Sequence, residues 1–231
     1  MNKPGDLIDT GEMYLRCVLE LEEEGTLPLR ARLAERLGHS IPTVSQTVAR
    51  MERYGLVTVT PGGKLELTPA GRLSAVRVMR KHRIAECLLA DILSMDWPLV
   101  HEEACRWEHV ISEAAERRVL GILGHPAKSP YGNPIPGLAE LGVTTQRDAD
   151  EPPGTLPLAG VPQEPCKVVV HHIAESAQSD AGLLTRLSRA GIRPGAIVSA
   201  SHWGDRIRVG EGCARADLDR AAAARICVTM A

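Results

Sequence analysis

The sequence predicts a mainly α-helical, multidomain chain that ends in a small β-rich domain. Three observations carry this. Helical periodicity, broken at Gly and Pro, dominates the first 123 residues. A polar, Pro-rich stretch lies at 144–165. Short alternating strands separated by Gly, Pro and Asp follow it.

Taken in order, residues 9–24 predict a first helix with an apolar face of Met13, Leu15, Val18, Leu19 and Leu21, stopped by Gly25. Pro28 opens a second helix, LRARLAERL, which Gly38 ends. Ser40 is a natural N-cap and Pro42 opens a third, TVSQTVARMERYG, closed by Gly55. LVTVT and LELT flank Pro61-Gly62-Gly63-Lys64, the pattern of a β-hairpin. Three helices and a hairpin in so short a span predict a winged helix-turn-helix, whose third helix enters a major groove. Ser40, Pro42, Thr43 and Gln46 would then face bases, because Gln reads adenine and Thr or Pro packs on a thymine methyl. Arg30, Arg32, Arg50 and Arg53 stand where phosphates lie, and the hydroxyls of Thr43 and Ser45 can donate to phosphates.

Charge agrees. The whole chain carries a net −2, which alone says nothing of nucleic acid. Between residues 25 and 83, however, eleven basic side chains face three acidic ones.

Thr68-Pro69 caps a long helix to about Ser94, carrying His82 and Glu86 four apart on one face. Pro98 opens the helix with His101-Glu-Glu-Ala-Cys-Arg-Trp-Glu-His109, and another helix spans 112–123. On helical spacing His101, Cys105, Glu108 and His109 share roughly one third of the circumference. Imidazole, thiolate and carboxylate on one face suit a transition metal better than calcium or magnesium. Val78, Ile84, Leu88, Leu89, Ile92, Leu93, Val110 and Ile111 predict a dimer interface. Beyond the Pro/Gly loop 124–137, the segments CKVVVHHI, GAIVSAS, DRIRVG and ARICVTM predict a small β-barrel, with amphipathic AGLLTRLSRAGI between the first two.

No run approaches 18 apolar residues, the N-terminus has no signal-peptide pattern, and the six cysteines form no CxxC pairs. A cytoplasmic protein with reduced thiols is the expectation. Apart from Cys105, the cysteines read as structural, as do His39, His125, His171, His172 and His202. An enzyme with Cys105 as nucleophile and His109 as base lacks an orienting third group. A purely structural metal site is the other alternative weighed.

The segments DTGEMYLR, PLRARLAERL, PTVSQTVARMER, VMRKHRIAE, HEEACRWEHV and SPYGNPIPG, together with IAESAQ at 173–178, make the chain resemble the diphtheria toxin repressor family of iron-dependent regulators. The resemblance is dense over residues 6–143 and thin beyond. It implies a winged helix-turn-helix over 1–73, a helical metal-binding and dimerisation domain over 74–143, a Pro-rich linker over 144–163 and an SH3-like domain over 164–231. It implies a primary metal site of Met13, Cys105, Glu108 and His109, completed by the Cys105 carbonyl and a water. It implies an ancillary site of His82, Glu86, His101, Glu175 and Gln178, over which the last domain closes. The implied function is an Fe2+-activated repressor, not an enzyme, acting as a homodimer on palindromic double-stranded operators of iron-uptake and siderophore genes. Two dimers per operator is one arrangement, and Co2+, Ni2+, Mn2+ or Zn2+ are expected to substitute in vitro. A manganese- or zinc-responsive repressor of the same family is the alternative, although Cys105 and Met13 are softer than Mn2+ prefers. The chain departs from the family at Ile41, where Gly is common, at Gly11, where Thr is usual, and at Tyr54, where the family has an acidic residue.

Overall fold

A computed structural model of the chain describes residues 4–143, 152–212 and 214–231, with side chains from residue 10 onward in those ranges. The chain forms two compact units. One runs to His82 and includes Glu108–Ile111; the other comprises Arg83–Trp107 and Ser112–Ala231.

The first unit holds α1 (Pro4–Glu23), α2 (Arg30–Leu37), α3 (Ile41–Arg53), β1 (Val57–Val59), β2 (Leu65–Leu67) and most of α4 (Pro69–Cys87). α1 buries Tyr14, Leu15, Val18 and Leu21, a helical stripe, against Leu33 of α2, Val44, Val48 and Met51 of α3, and Val57 and Leu65 of the hairpin. Each such aliphatic side chain contributes about 1.5–3 kcal/mol on full burial. Ser40 caps α3, its Oγ accepting from the Thr43 amide at 3.3 Å. β1 and β2 pair antiparallel, Val57 opposite Leu67 and Val59 opposite Leu65. Thr68 caps α4, with Oγ1 accepting from the Gly71 amide at 3.1 Å and donating to the Gly55 carbonyl at 2.6 Å. A Cβ at Gly71 would lie 1.8 Å from the Leu56 carbonyl oxygen, so only glycine lets α4 approach the strand entry this closely. Helices α1–α3 with the β1–β2 wing make a winged helix-turn-helix.

In the second unit α4 passes at Cys87 into one wide π turn, Leu88–Ile92. Then come α5 (Trp97–Trp107) and α6 (Glu113–Ile122), the latter capped by Ser112. Ile84, Cys87, Leu120, Ile135, Leu138 and Leu141 form the helical core. A six-stranded antiparallel sheet follows: β3 (Leu156–Pro157), β4 (Cys166–Ile173), β5 (Ile197–Trp203), β6 (Arg206–Glu211), β7 (Ala214–Asp219) and β8 (Ile226–Met230). Their spatial order is β3-β8-β4-β5-β6-β7. α7 (Glu175–Gln178) and α8 (Ala181–Arg189) join β4 to β5, and α9 (Arg220–Ala223) joins β7 to β8.

The loop before the sheet is stitched to it. The Ile173 amide donates to the Tyr131 carbonyl at 2.9 Å, and Asn133 Nδ2 donates to the Ile173 carbonyl at 2.9 Å. Tyr131 OH donates to the Trp97 carbonyl at 2.7 Å. Gly132 has φ +86°, and a Cβ there would meet the His171 carbonyl oxygen at 2.0 Å.

Three sequence expectations need correction. α5 stops at Trp107, so Glu108 and His109 lie in the turn after it and not on its face. No Gly or Pro marks this end; the chain must turn to reach the Ser112 cap. The expected linker 144–163 is not free throughout: Leu156 and Pro157 pair with Val228 and Cys227, and Leu158 is buried. Its residues 144–151 lie outside the described residues, as does Cys213. The sheet also has a strand that the pattern hid, β7, because ARADLD carries two aspartates.

Candidate metal centre

Two buried clusters of ligand-type side chains are present, one in each unit. In the second unit, Glu86 comes from the last turn of α4, His101 from α5 and Glu175 from the start of α7. All three are buried, and their donor atoms lie within 4.8 Å of one another. His101 Nδ1 is 3.2 Å from Glu86 Oε1 and 3.5 Å from Glu175 Oε2; its Nε2 is 3.7 Å from Cys105 Sγ, one turn on. Arg83 Nε donates to Glu175 Oε1 at 3.0 Å, and its Nη1 to the Pro134 carbonyl at 2.5 Å. Gln178 Nε2 donates to the Ile173 carbonyl at 2.7 Å, while its Oε1 is buried with no hydrogen-bond partner. Such an oxygen costs about 1–3 kcal/mol to leave unsatisfied. A cation beside it removes that cost. An imidazole and two carboxylates brought together in a buried group are a donor set for a divalent transition ion, so these residues fit a metal.

In the first unit the centre is Glu108. Its Oε2 accepts from Arg16 Nη1 at 2.5 Å and lies 2.7 Å from His82 Nδ1; Oε1 lies 3.2 Å from His109 Nε2. His109 Nδ1 is 2.8 Å from Glu12 Oε2. His82 Nδ1 is also 2.8 Å from Arg16 Nη1. One ring nitrogen cannot donate to Glu108 and accept from Arg16 at once, so the tautomer chooses between them. Burial pushes the Glu108 carboxyl up, but the Arg16 charge and the His82 hydrogen bond outweigh it and hold it below the usual range. Arg16 Nε continues to Glu20 Oε1 at 3.0 Å, Arg36 lies 3.6 Å from Glu20, and Arg36 ends on Glu24 at 2.6 Å. Met13 is partly buried against the core of this unit.

Each unit thus gathers part of the expected set. Glu108 and His109 meet in the first unit, where Met13 also lies and where His82 joins Glu108. Glu86, His101 and Glu175 meet in the second, with Cys105 against His101 and Gln178 closing α7.

Sequence reasoning missed Glu12, Arg16, Glu20 and Arg83. The signal was there. Glu12, Arg16, Glu20 and Glu24 recur every fourth residue, a charged stripe that runs beside the apolar face of α1 and just past its end.

Of the residues expected to meet DNA, Pro42, Thr43 and Gln46 of α3 are exposed, as are Ser40, Arg32 and Arg53; Arg30, Ser45 and Arg50 are half-buried. Arg32 also pairs with Glu35 at 3.1 Å.

Residues 6–65 match the iron dependent repressor N-terminal DNA binding domain, and residues 68–137 the iron dependent repressor metal binding and dimerisation domain. The iron-dependent repressor IdeR of Mycobacterium tuberculosis is 54% identical over 195 residues, 84% of each chain. The diphtheria toxin repressor of Corynebacterium diphtheriae is 54% identical over 193 residues, again 84% of each. Among solved structures, a manganese-dependent transcriptional repressor complexed with manganese superposes with a TM-score of 0.78 at 26% identity, covering 96% of this chain and all of that one. IdeR of T. acidophilum gives 0.73 at 26% identity, covering 95% and 97%.

Proposed function

Because this chain belongs to the iron-dependent repressor family, whose members are DNA-binding transcriptional repressors and not enzymes, we propose that it is an iron(II)-activated repressor. As a member, it is a metal-dependent repressor with a winged-helix DNA-binding domain and a dimerisation domain. No helix among the described residues is long and apolar enough to cross a membrane.

Met13, Cys105, Glu108 and His109 hold the activating ion; His82, Glu86, His101, Glu175 and Gln178 hold the ancillary one. The ion supplies positive charge and a link between residues distant in sequence. The single observation that supports this best is the buried group Glu86–His101–Glu175 with the unsatisfied Gln178 oxygen. Cys105 and Met13 as soft donors favour Fe2+ over Mn2+. The homodimer reads palindromic operators of iron-uptake and siderophore genes through α3, with Gln46 toward bases and Arg30, Arg32, Arg50 and Arg53 toward phosphates. Two dimers per operator and an SH3-like character for the C-terminal sheet complete the reading.

What the chain's own residues do follows from their contacts. Arg16 and His82 keep Glu108 ionised and Glu12 holds His109, so these donors stand ready but engaged. Ligation draws on that engagement, and it shifts the DNA-binding equilibrium only by the difference in affinity between the two states.

The test is an anaerobic gel shift on a palindromic operator duplex, titrated separately with Fe2+, Co2+, Mn2+ and Zn2+. Fe2+ or Co2+ should switch binding on, and Glu108→Ala should abolish the switch while leaving a folded dimer. Undiminished metal-dependent binding by that variant overturns the site assignment. Activation by Mn2+ or Zn2+ at concentrations where Fe2+ fails would make the chain a manganese or zinc regulator.

A further inference from the structure

We propose that Ile41 is a specificity-determining residue, an apolar tip on α3 that reads a thymine methyl group. This rests on the reading of α3 as the DNA-reading helix.

Part of the hydrogen-bonding capacity at the start of α3 is spent inside the helix. Ser40 Oγ accepts from the Thr43 amide at 3.3 Å and lies 2.8 Å from Thr43 Oγ1. The two hydroxyls nearest the tip are therefore engaged in capping the helix and in bonding each other. Beside these two exposed hydroxyls the tip presents carbon: Ile41, 49% exposed, and the exposed ring of Pro42.

Ile41 has no evident structural reason for its place. Large apolar side chains are exposed in the first unit at Leu27, Tyr54, Leu73 and Val110, but Ile41 alone among them lies within α3. It is absent from the core beneath, which Val44, Val48 and Met51 supply. A β-branched residue gains nothing in helix propensity over Ala there. So a branched apolar side chain stands in solvent at the end of the helix that meets base edges in this class of reader.

The chemistry of the groove then limits what it can recognise. Major-groove edges present acceptors and donors throughout, and one apolar group, the C5-methyl of thymine. Ile41 gains nothing from a donor or acceptor and gains contact from a methyl. Gln46, further along the exposed face, keeps its amide for hydrogen-bond readout. The two together would give α3 one apolar and one polar reading element.

The experiment uses the full chain loaded with Co2+ and a duplex that it selects from a randomised pool. Each thymine of a half-site is replaced in turn by deoxyuridine, which removes only the methyl. Affinity is read by fluorescence anisotropy at fixed salt. For the wild type, at least one replacement should weaken binding about fourfold, the value of one buried methyl group. With Ile41→Ala the same replacement should change affinity little, because the partner is already gone. Ile41→Gln, similar in length but with an amide in place of the methyls, should lose the dependence equally. A replacement that costs the same in all three proteins assigns the methyl to another residue and overturns the proposal, as does a wild type indifferent to every replacement. Gln46→Ala and Arg50→Ala separate the two levels. If they weaken binding while Ile41 shows no coupling, only the Ile41 assignment falls. If they too leave the affinity unchanged, α3 is not the reader and both fall.

Discussion

Replacing Arg16 by Met should destabilise the metal-free protein and enlarge the stabilisation gained from metal. The Arg16 side chain is 11% exposed, and it bonds two carboxylates that are 6% and 1% exposed, Glu20 and Glu108. Breaking a buried ion pair by removing one partner costs about 3–5 kcal/mol, because a charge stays behind uncompensated. Here His82 still faces Glu108 and Arg36 still faces Glu20, which places the loss near the lower end, about 3 kcal/mol. For a chain of this size that is a fall in Tm of roughly 6–12 °C. Met keeps the aliphatic length, so little of the loss is cavity. A divalent ion engaging Glu108 in the wild type must share it with the guanidinium, whereas in the variant that permanent charge is gone and only the imidazoles of His82 and His109 still face the carboxylate. The rise in Tm on adding Co2+ should therefore be larger for Arg16→Met than for wild type. Differential scanning calorimetry with chelator and with Co2+ measures both quantities. A metal-free variant as stable as wild type, or equal rises on adding Co2+, would refute the reasoning.

Three further outcomes are expected. Gly132→Ala places a Cβ at 2.0 Å from the His171 carbonyl oxygen on a φ of +86°, and should cost about 3 kcal/mol or more in urea unfolding; a loss below about 1 kcal/mol would show that the loop yields freely. Ser40→Ala removes the cap of α3 and should cost about 1 kcal/mol, read as a lower urea midpoint at unchanged slope. Burial pushes the Cys17 thiol up from 9.0 to about 12. Because the folded value is the higher one, its stabilisation is complete below pH 9.0 and is lost as pH rises toward 12. Cys17→Ala should flatten the alkaline fall in stability, by at most about 1.4 kcal/mol per pH unit, and parallel curves would contradict the buried thiol's role.

Much of this molecule was legible because its punctuation is local. Ser40, Pro42, Gly38 and Gly55 bound α2 and α3 without help from the rest of the chain, and the Gly62-Gly63 turn forces the wing. What stayed hidden depends on distant partners. α5 has no stop residue, so nothing near Trp107 announces that Glu108 and His109 leave the helix to meet Arg16, His82 and Glu12 on α1 and α4. Leu156-Pro157 reads as linker until β8, some seventy residues on, is there to pair with it. For the candidate metal centre, ligand chemistry pointed to the side chains that gather in the two clusters, but the cations that hold them, Arg16 and Arg83, look in sequence like any other arginine among twenty-seven basic residues.

The five residues linked in the order Glu108, Arg16, Glu20, Arg36, Glu24 alternate in sign and are odd in number. An odd alternating series cannot be neutral; with acid at both ends it carries one surplus negative charge. Withdraw the terminal member, Glu108, and the four that remain balance two against two. Giving that carboxylate up to a cation therefore leaves no stranded guanidinium, since Arg16 keeps Glu20 as its counter-ion. Parity, more than the strength of any one pair, lets a buried acid change partners without unsettling the charges on the helices beside it.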